Sequence, residues 1–265
     1  MPAADTTSTL SSPSMTTVRS PSAQSPEARA KATMLSPVPV LDTPLAKTVS
    51  LARPAILLCL MITRFSALVS DPVATLWSAL PVVAVVQAAY AVTCLAVAGS
   101  QTVKGAKKAR PGERRKNDVS GPNTIPTALL SLVLTGIATP VTYAFLILFG
   151  APLLDHAPHT MLCAAHFALL GLFPVFYARG VDGEALVAVA GASAPLDETY
   201  GGLVGAVVGA WLGAVPIPLD WDRDWQRWPV TVVVGMYAGS LLFSWASGTL
   251  LYGKRMANVS ASKEE

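Results

Sequence analysis

The residues best suited to chemistry lie in one short stretch, VPIPLDWDRDWQRWPV, which runs from Val215 to Val230. Carboxylates, guanidinium groups and indoles alternate there, at Asp220, Trp221, Asp222, Arg223, Asp224, Trp225, Arg227 and Trp228. Tryptophan is a common anchor at a membrane–water boundary, and Trp and Arg are also favoured anchors in protein–protein contacts. The stretch therefore predicts either an interfacial turn made rigid by pairing among Asp220, Asp222 and Arg223, or a surface that binds a partner or a lipid.

Arg64 is a second candidate, because it is a cation inside the first long apolar run. A charged side chain at the centre of a bilayer costs about 2.5–3.5 kcal/mol on insertion scales. Arg64 lies near one end of its run, so its long side chain can reach the headgroup region. The alternative prediction is that it pairs with an acid in the bundle or binds a lipid phosphate.

Metal-binding and catalytic motifs find little support. The segment DHAPH (155–159) offers one carboxylate and two imidazoles, but Pro158 interrupts the helix that would align them, and zinc sites normally show a fuller ligand set. Asp182 begins a DG pair like that of membrane alcohol phosphotransferases, yet Leu186 and Val187 replace the Ala and Arg of their DGxxAR motif. We therefore expect no catalytic residue, no metal and no cofactor.

The composition indicates which elements position the candidate residues. Hydrophobic residues make up 52% of the chain, charged residues make up 13%, and the mean hydropathy is +0.50. Soluble domains carry about 25% charged residues. The sequence thus predicts an all-α fold, a polytopic membrane bundle of about six transmembrane helices. The six apolar stretches are Leu51–Ser70, Val73–Ala98, Ile125–Gly150, Thr160–Tyr177, Tyr200–Ile217 and Pro229–Leu251.

Basic residues set the predicted orientation of the bundle. Seven Lys or Arg fall within Lys104–Lys116, between the second and third spans. The positive-inside rule places such a segment in the cytosol. Six spans then place both termini in the cytosol and the 218–228 loop in the lumen. The net charge of only +3 gives no support for nucleic-acid binding.

The same reasoning divides the chain into three parts. Residues 1–50 are rich in Ser, Thr and Pro and are predicted to be a disordered cytosolic tail. Residues 51–253 are predicted to be the six-helix membrane domain, with a cytosolic basic loop at 100–124. Residues 254–265 are predicted to be a short cytosolic tail.

Four glycines recur every fourth residue in the fifth span, at Gly201, Gly205, Gly209 and Gly213. On a helix they fall on nearly one face, and small residues at this spacing let helix backbones approach closely in lipid. The glycine face is predicted to pack against another helix. That helix belongs either to this chain or to another protein.

Three parts of the chain resemble a known family. The run GAWLGAVPIPLDWDRDWQRWPV (Gly209–Val230) resembles the signature of the phosphatidylinositol-glycan class F family: small residues, then PIPLDW, an acid, Arg, WQ and WP. LFGAP at Leu148–Pro152, with the later His159-Thr160 pair, is also similar to that family, and so is Glu198-Thr199 before the glycine helix. The long N-terminal segment and the basic loop resemble the fungal members.

The resemblance implies an endoplasmic-reticulum membrane subunit in the biosynthesis of glycosylphosphatidylinositol (GPI) anchors. Family members associate with and stabilise the enzymes that transfer phosphoethanolamine from phosphatidylethanolamine to mannoses of the lipid precursor. By this resemblance the chain is a non-catalytic stabilising subunit, and its partners are an ethanolamine-phosphate transferase and membrane lipids.

Two other functions stay open from the residues alone. A small lipid transporter or scramblase would need a polar groove through the bundle. An integral membrane phosphotransferase would need an acidic metal motif.

Overall fold

The first two helices begin where a polar side chain precedes proline. In α1 (Pro44–Ser70) and α2 (Pro72–Cys94) the proline occupies the first helical position, where its missing N–H removes no helical hydrogen bond. The side chains of Thr43 and Asp71 accept hydrogen bonds from backbone N–H groups three residues later, at 3.1 and 3.0 Å. Since Asp71 alone separates the two helices, α1 and α2 form a tight antiparallel pair.

The computed structural model describes residues 35–98 and 123–256. The other helices are α3 (Thr124–Leu148), α4 (Ala157–Phe167), α5 (Phe173–Arg179), α6 (Gly183–Ala190), α7 (Glu198–Ala214) and α8 (Val230–Thr249). A π turn, Ala168–Leu172, joins α4 to α5, and a 3-10 turn, Asp224–Gln226, precedes α8. Within the described residues the only β pairing is two isolated bridges.

Five helical segments are long and apolar enough to cross a membrane: α1, α2, α3, the continuous segment Ala157–Arg179, and α8. The predicted all-α polytopic membrane bundle is confirmed. The sixth predicted span, Tyr200–Ile217, corresponds to α7, whose 17 residues rise about 25 Å. Helix α7 ends at Ala214, two residues before Pro216. The short helix α6 lies outside all predicted spans.

The segment 35–43, here called the strap, lies against the bundle ahead of α1. Val38 is 2% exposed, and the N–H of Leu41 donates to the carbonyl of Cys94 at 2.8 Å. The bundle therefore begins before residue 50, where the sequence placed the end of the tail. Apolar-run length does not detect a short extended segment that is held by backbone hydrogen bonds. Residues 1–34, the basic loop Lys104–Lys116 and residues 257–265 lie outside the described residues.

The π turn has a local cause in Pro174. Proline has no N–H and cannot donate to the carbonyl four residues earlier, at Leu170. The amide of Gln87 in α2 compensates, because its Nε2 donates to the carbonyls of Leu169 (2.9 Å) and Leu170 (3.4 Å). A buried side chain of one helix thus satisfies the backbone of another.

Helices α7 and α8 pack backbone to backbone. A Cβ added at Gly205 or Gly209 would overlap the carbonyl oxygen of Gly239 or Gly235, and one at Gly213 would overlap that of Thr231. Gly201 similarly faces Ser247. The four predicted packing glycines are therefore buried against a helix of the same chain.

Helix α7 connects two polar ends of the bundle. It starts at the N-terminal end, where α1 also begins and where α2, α5 and α8 finish. It finishes at the opposite end, where residues 215–229, here called the tryptophan loop, lead into α8. Between the ends lies an apolar core that includes Leu57, Val83, Leu170, Met236 and Tyr237.

Candidate functional site

The tryptophan loop is organised by a glutamine that sequence analysis did not single out. Gln226 is 7% exposed. Its Nε2 donates to the carbonyls of Pro216 (2.8 Å) and Leu219 (2.9 Å), and its Oε1 accepts from the N–H of Arg223 (2.9 Å). Three hydrogen bonds from one side chain fix the turn, so the loop is rigid for a reason other than the predicted ion pairs.

Trp228 joins the loop to a second segment of the chain. Its Nε1 donates to the hydroxyl of Thr160 at 3.1 Å, and that hydroxyl lies 2.9 Å from the carbonyl of Pro152. The WP motif is 68 residues from the His-Thr pair, which closely follows LFGAP, yet all three motifs meet at this end of the bundle. Their resemblance to one family therefore corresponds to one place in the structure.

The outer face of the loop is exposed. Trp221 is 54% exposed, and its ring centroid lies 5.9 Å from that of Trp225. Asp220, Asp222 and Arg223 are exposed as well. The ion pair that the structure gives this loop joins Asp224 to Arg227 at 2.6 Å, whereas Asp220, Asp222 and Arg223 form none in the part of the chain described. The aromatic and charged groups thus point outward on a fixed backbone.

Arg64 lies on α1 six residues before the helix ends at Ser70, on the tryptophan-loop side of the bundle. Its side chain is exposed, and in the described ranges 35–98 and 123–256 it makes no ion pair. Two exposed tryptophans lie at the same end of the bundle: Trp77 (69% exposed) near the start of α2 and Trp211 (68% exposed) near the end of α7. This arrangement is typical of a membrane–water boundary, where a long cation reaches the headgroups.

The opposite end of the bundle buries a polar cluster made of Arg53, Gln87, Tyr90, Glu198 and Ser244. Arg53 is 5% exposed; its Nε donates to Gln87 Oε1 at 2.8 Å and its Nη1 to Ser244 Oγ at 3.3 Å. The guanidinium carbon lies 4.2 Å from the centroid of the Tyr90 ring. Tyr90 in turn donates its hydroxyl hydrogen to Glu198 Oε2. A cation and an anion are thus connected through an aromatic ring inside the bundle.

A buried ion pair lies beside this cluster. Arg179, at the end of α5, donates to Asp197 Oδ2, and both side chains are nearly inaccessible. Asp197 also caps α7 by accepting from the N–H groups of Thr199 and Tyr200, each at 3.0 Å. The N–H of Val38 in the strap donates to the same carboxylate at 2.9 Å. Asp197 therefore holds the strap, α5 and α7 together.

Sequence analysis missed these buried residues for identifiable reasons. Arg53 is a single basic residue close to the start of the first apolar run, and the sequence singles out Glu198 only through the family resemblance. Arg179 and Asp197 lie just outside predicted spans, where charged residues are ordinary. The partners are 18 to 191 residues apart, so no local spacing could have paired them.

Both ends of the bundle lie within a region shared with known proteins. The family described as "PIG-F: GPI biosynthesis protein family Pig-F" matches residues 52–248. The chain belongs to the PIG-F family. It is a multi-pass membrane protein of a family that acts in GPI-anchor biosynthesis.

Fungal PIG-F relatives match over most of the chain. Glycosylphosphatidylinositol anchor biosynthesis protein 11 of Neurospora crassa is 58% identical over 221 residues, which cover 83% of this chain and 81% of that protein. The protein of the same name in Pyricularia oryzae is 56% identical over 199 residues, 75% of each chain. The one in Saccharomyces cerevisiae is 40% identical over 114 residues, 43% of this chain and 47% of that protein. No solved structure matches the chain.

Proposed function

We propose that this PIG-F protein is a non-catalytic subunit that binds and stabilises an ethanolamine-phosphate transferase of GPI-anchor biosynthesis in the endoplasmic-reticulum membrane. The tryptophan loop is the docking surface in this proposal. Trp221 and Trp225 anchor it at the interface, Trp228 supports them from the bundle side, and Arg223 pairs with an acid of the partner or with a substrate phosphate. Arg64 contacts a lipid phosphate on the same side of the bundle.

The observation that supports docking is an exposed aromatic and charged face on a rigid backbone. Gln226 and Trp228 fix the loop from inside, so little ordering entropy is lost when a partner binds. Trp and Arg are the residue types that carry most binding energy at protein interfaces. Arg223 has no ion-pair partner among the described residues, and a partner carboxylate or phosphate would supply one.

The orientation follows from charge. The Lys104–Lys116 segment is cytosolic in this proposal, as are both termini, and the tryptophan loop is lumenal. An acceptor site for N-glycosylation engineered within 218–228 and set away from the bilayer should be modified, whereas one engineered within 104–116 should not. The reverse pattern of glycosylation would show that the orientation is the opposite of the one proposed.

Reconstitution tests the function itself. The chain is purified alone and together with the transferase catalytic subunit, and transfer of phosphoethanolamine to a mannose-containing acceptor is measured. We expect transfer by the complex, none by this chain alone, and a lower yield of transferase without it. Transfer of phosphoethanolamine by the chain alone would show that it is an enzyme and would overturn the proposal. Lipid flipping by the chain alone in liposomes would instead favour a scramblase.

A further inference from the structure

A cleft of about 300 Å³ opens at the N-terminal end of the bundle, away from the tryptophan loop. Its walls come from the strap, from the first residue of α7 and from the end of α8: Val38, Pro39, Val40, Glu198, Gly248 and Tyr252. This volume lies at the lower limit of known small-ligand pockets, which is about 300 Å³. Partial burial, and secondarily the charge of Asp197, raises the pKa of Tyr252, so that phenol stays neutral. Glu198 is therefore the charged group of the lining.

Within the described residues, only one of the two Glu198 carboxylate oxygens accepts a hydrogen bond. Oε2 accepts from the Tyr90 hydroxyl, whereas Oε1 has no hydrogen-bond partner within 35–98 and 123–256. Gly248 makes room for the Glu198 side chain at the cleft, because an added Cβ would lie 3.0 Å from Oε1 and closer still to the Glu198 Cγ. A half-buried carboxylate oxygen of this kind is stabilised by a donor.

The buried arginines at this end of the bundle are already engaged. Arg53 donates to Gln87 and Ser244 and reaches Glu198 only through the Tyr90 ring. Arg179 is held by Asp197. The chemistry that fits Oε1 is therefore a positively charged hydrogen-bond donor that enters from the cleft.

The lining distinguishes between two kinds of organic cation. Quaternary ammonium groups have no N–H and are held by cages of several aromatic rings, whereas the cleft offers one, Tyr252. A primary ammonium donates three hydrogen bonds and is well matched to a carboxylate. The lining thus favours a primary over a quaternary ammonium.

The position of the cleft indicates the source of that ammonium. It lies where α8 ends, close to Trp245, which is 63% exposed four residues before the end of the helix. Exposed tryptophan at a helix end marks the level of lipid headgroups. We propose that the cleft binds the primary ammonium of a phospholipid headgroup, with Glu198 Oε1 as the acceptor. This site lies at the opposite end from the docking surface and does not depend on it.

Lipid retention by the purified full-length chain tests the site. Native mass spectrometry is performed after equal amounts of phosphatidylethanolamine, its N-methyl and N,N-dimethyl forms and phosphatidylcholine are added in detergent. We expect retention to fall stepwise as methyl groups replace N–H donors. Short-chain phosphatidylethanolamine should compete at far lower concentration than free ethanolamine.

Two variants assign the effect to the cleft. Glu198→Gln keeps an oxygen for Tyr90 and removes the charge, so retention of phosphatidylethanolamine should fall about tenfold, as expected for one charge-assisted hydrogen bond. Gly248→Ala should also lower retention, because the added Cβ would displace the Glu198 side chain. Glu184→Gln, at an exposed acid of α6, is the matched control and should change nothing.

Three results would overturn the proposal. The first is equal retention of phosphatidylethanolamine and phosphatidylcholine by the wild-type chain, which needs no variant to fold. The second is unchanged retention by Glu198→Gln. The third is competition by free ethanolamine as strong as that by the lipid, which would remove the headgroup as the source. The transferase interaction is measured separately, so its failure would leave these readouts intact.

Discussion

The two ends of the bundle each carry an Arg–Asp pair, in opposite environments. The side chains of Arg179 and Asp197 are 2% and 0% exposed, whereas those of Arg227 and Asp224 are 72% and 70% exposed. The buried pair is joined to a helix cap and to the strap, whereas the exposed pair has no further side-chain hydrogen bond within 35–98 and 123–256. Exposed pairs contribute about 0–1 kcal/mol, while breaking a buried pair is far more damaging.

The charged residues of one end stabilise the fold, whereas those of the other end are available to bind a partner. At the N-terminal end, the side chains of Arg53, Arg179 and Asp197 face inward and are held by hydrogen bonds within the chain. At the tryptophan loop, an inward-facing amide, Gln226, holds the turn, and the charges face outward. A variant at one end should therefore affect folding, and a variant at the other should affect association.

The strongest test of this contrast is Asp197→Ala. It leaves Arg179 buried without its partner, which costs about 3–5 kcal/mol, and it releases the N–H of Val38. We expect sharply reduced accumulation and a lower midpoint of thermal unfolding in detergent. Asp224→Ala is the matched control and should lower stability by less than about 1 kcal/mol.

A double substitution checks the cause. Replacing the buried pair by apolar residues, Arg179→Met with Asp197→Leu, removes both charges at once. Such replacements are often tolerated, so the double variant should accumulate better than Asp197→Ala. If it accumulates no better, the damage comes from the lost helix cap and strap contacts rather than from an unpaired charge.

The next largest effect on folding is expected where the glycine face of α7 packs against α8. Gly209→Leu places a side chain against the backbone of Gly235, and overpacking of this kind costs about 1–3 kcal/mol or more. Val207 is 51% exposed on another face of α7, so Val207→Leu should be tolerated. Membrane accumulation of the two variants is compared by immunoblotting. Normal accumulation of Gly209→Leu would show that the contact between α7 and α8 tolerates the added side chain and would contradict this prediction.

Gln226→Ala should have an intermediate effect, confined to the tryptophan loop. It leaves the carbonyls of Pro216 and Leu219 and the N–H of Arg223 without their present partner, at about 1–3 kcal/mol for the polar groups that stay buried. We expect faster proteolytic cleavage within 215–229 and weaker co-purification with the transferase, while the bundle stays folded. Asp220→Ala, an exposed neighbour, controls for loss of a side chain. Unchanged cleavage would show that the turn is held by its prolines instead.

The smallest effect on folding and the most specific effect on association are expected from Arg223→Ala. Arg223 is exposed and lacks an ion pair among described residues, whereas Arg227 is already paired with Asp224. Arg223→Ala should lower the yield of the transferase complex more than Arg227→Ala, with the unfolding midpoint of both unchanged. Equal yields of the complex from Arg223→Ala, Arg227→Ala and the wild-type chain would show that the tryptophan loop does not take part in binding.

The sequence predicted the parts of the fold that depend on local patterns. Long apolar runs gave the spans, and four-residue spacing gave the glycine face of α7. The ends of the spans were less accurate, since the length of an apolar run does not register a capping residue such as Thr43. The strap escaped detection because a short extended segment has no periodicity to read.

The candidate sites were predictable only where the motif itself carries the chemistry. The tryptophans and arginines of 215–230 stand out in an oily chain. Gln226 lies among them, but its role depends on two carbonyls seven and ten residues away, which only the folded turn brings into reach. The cluster around Arg53 depends on contacts between four helices. One or two polar residues in an apolar run are too weak a signal to predict this cluster.

The strap also bears on the order in which the protein is made. Arg255 donates to the carbonyl of Leu35 at 3.0 Å across a separation of 220 residues. During synthesis the strap emerges before α1, yet this contact forms only after α8 and Arg255 have been translated. This closure of the N-terminal end is thus a late event in biogenesis, and a nascent chain truncated before Arg255 lacks it.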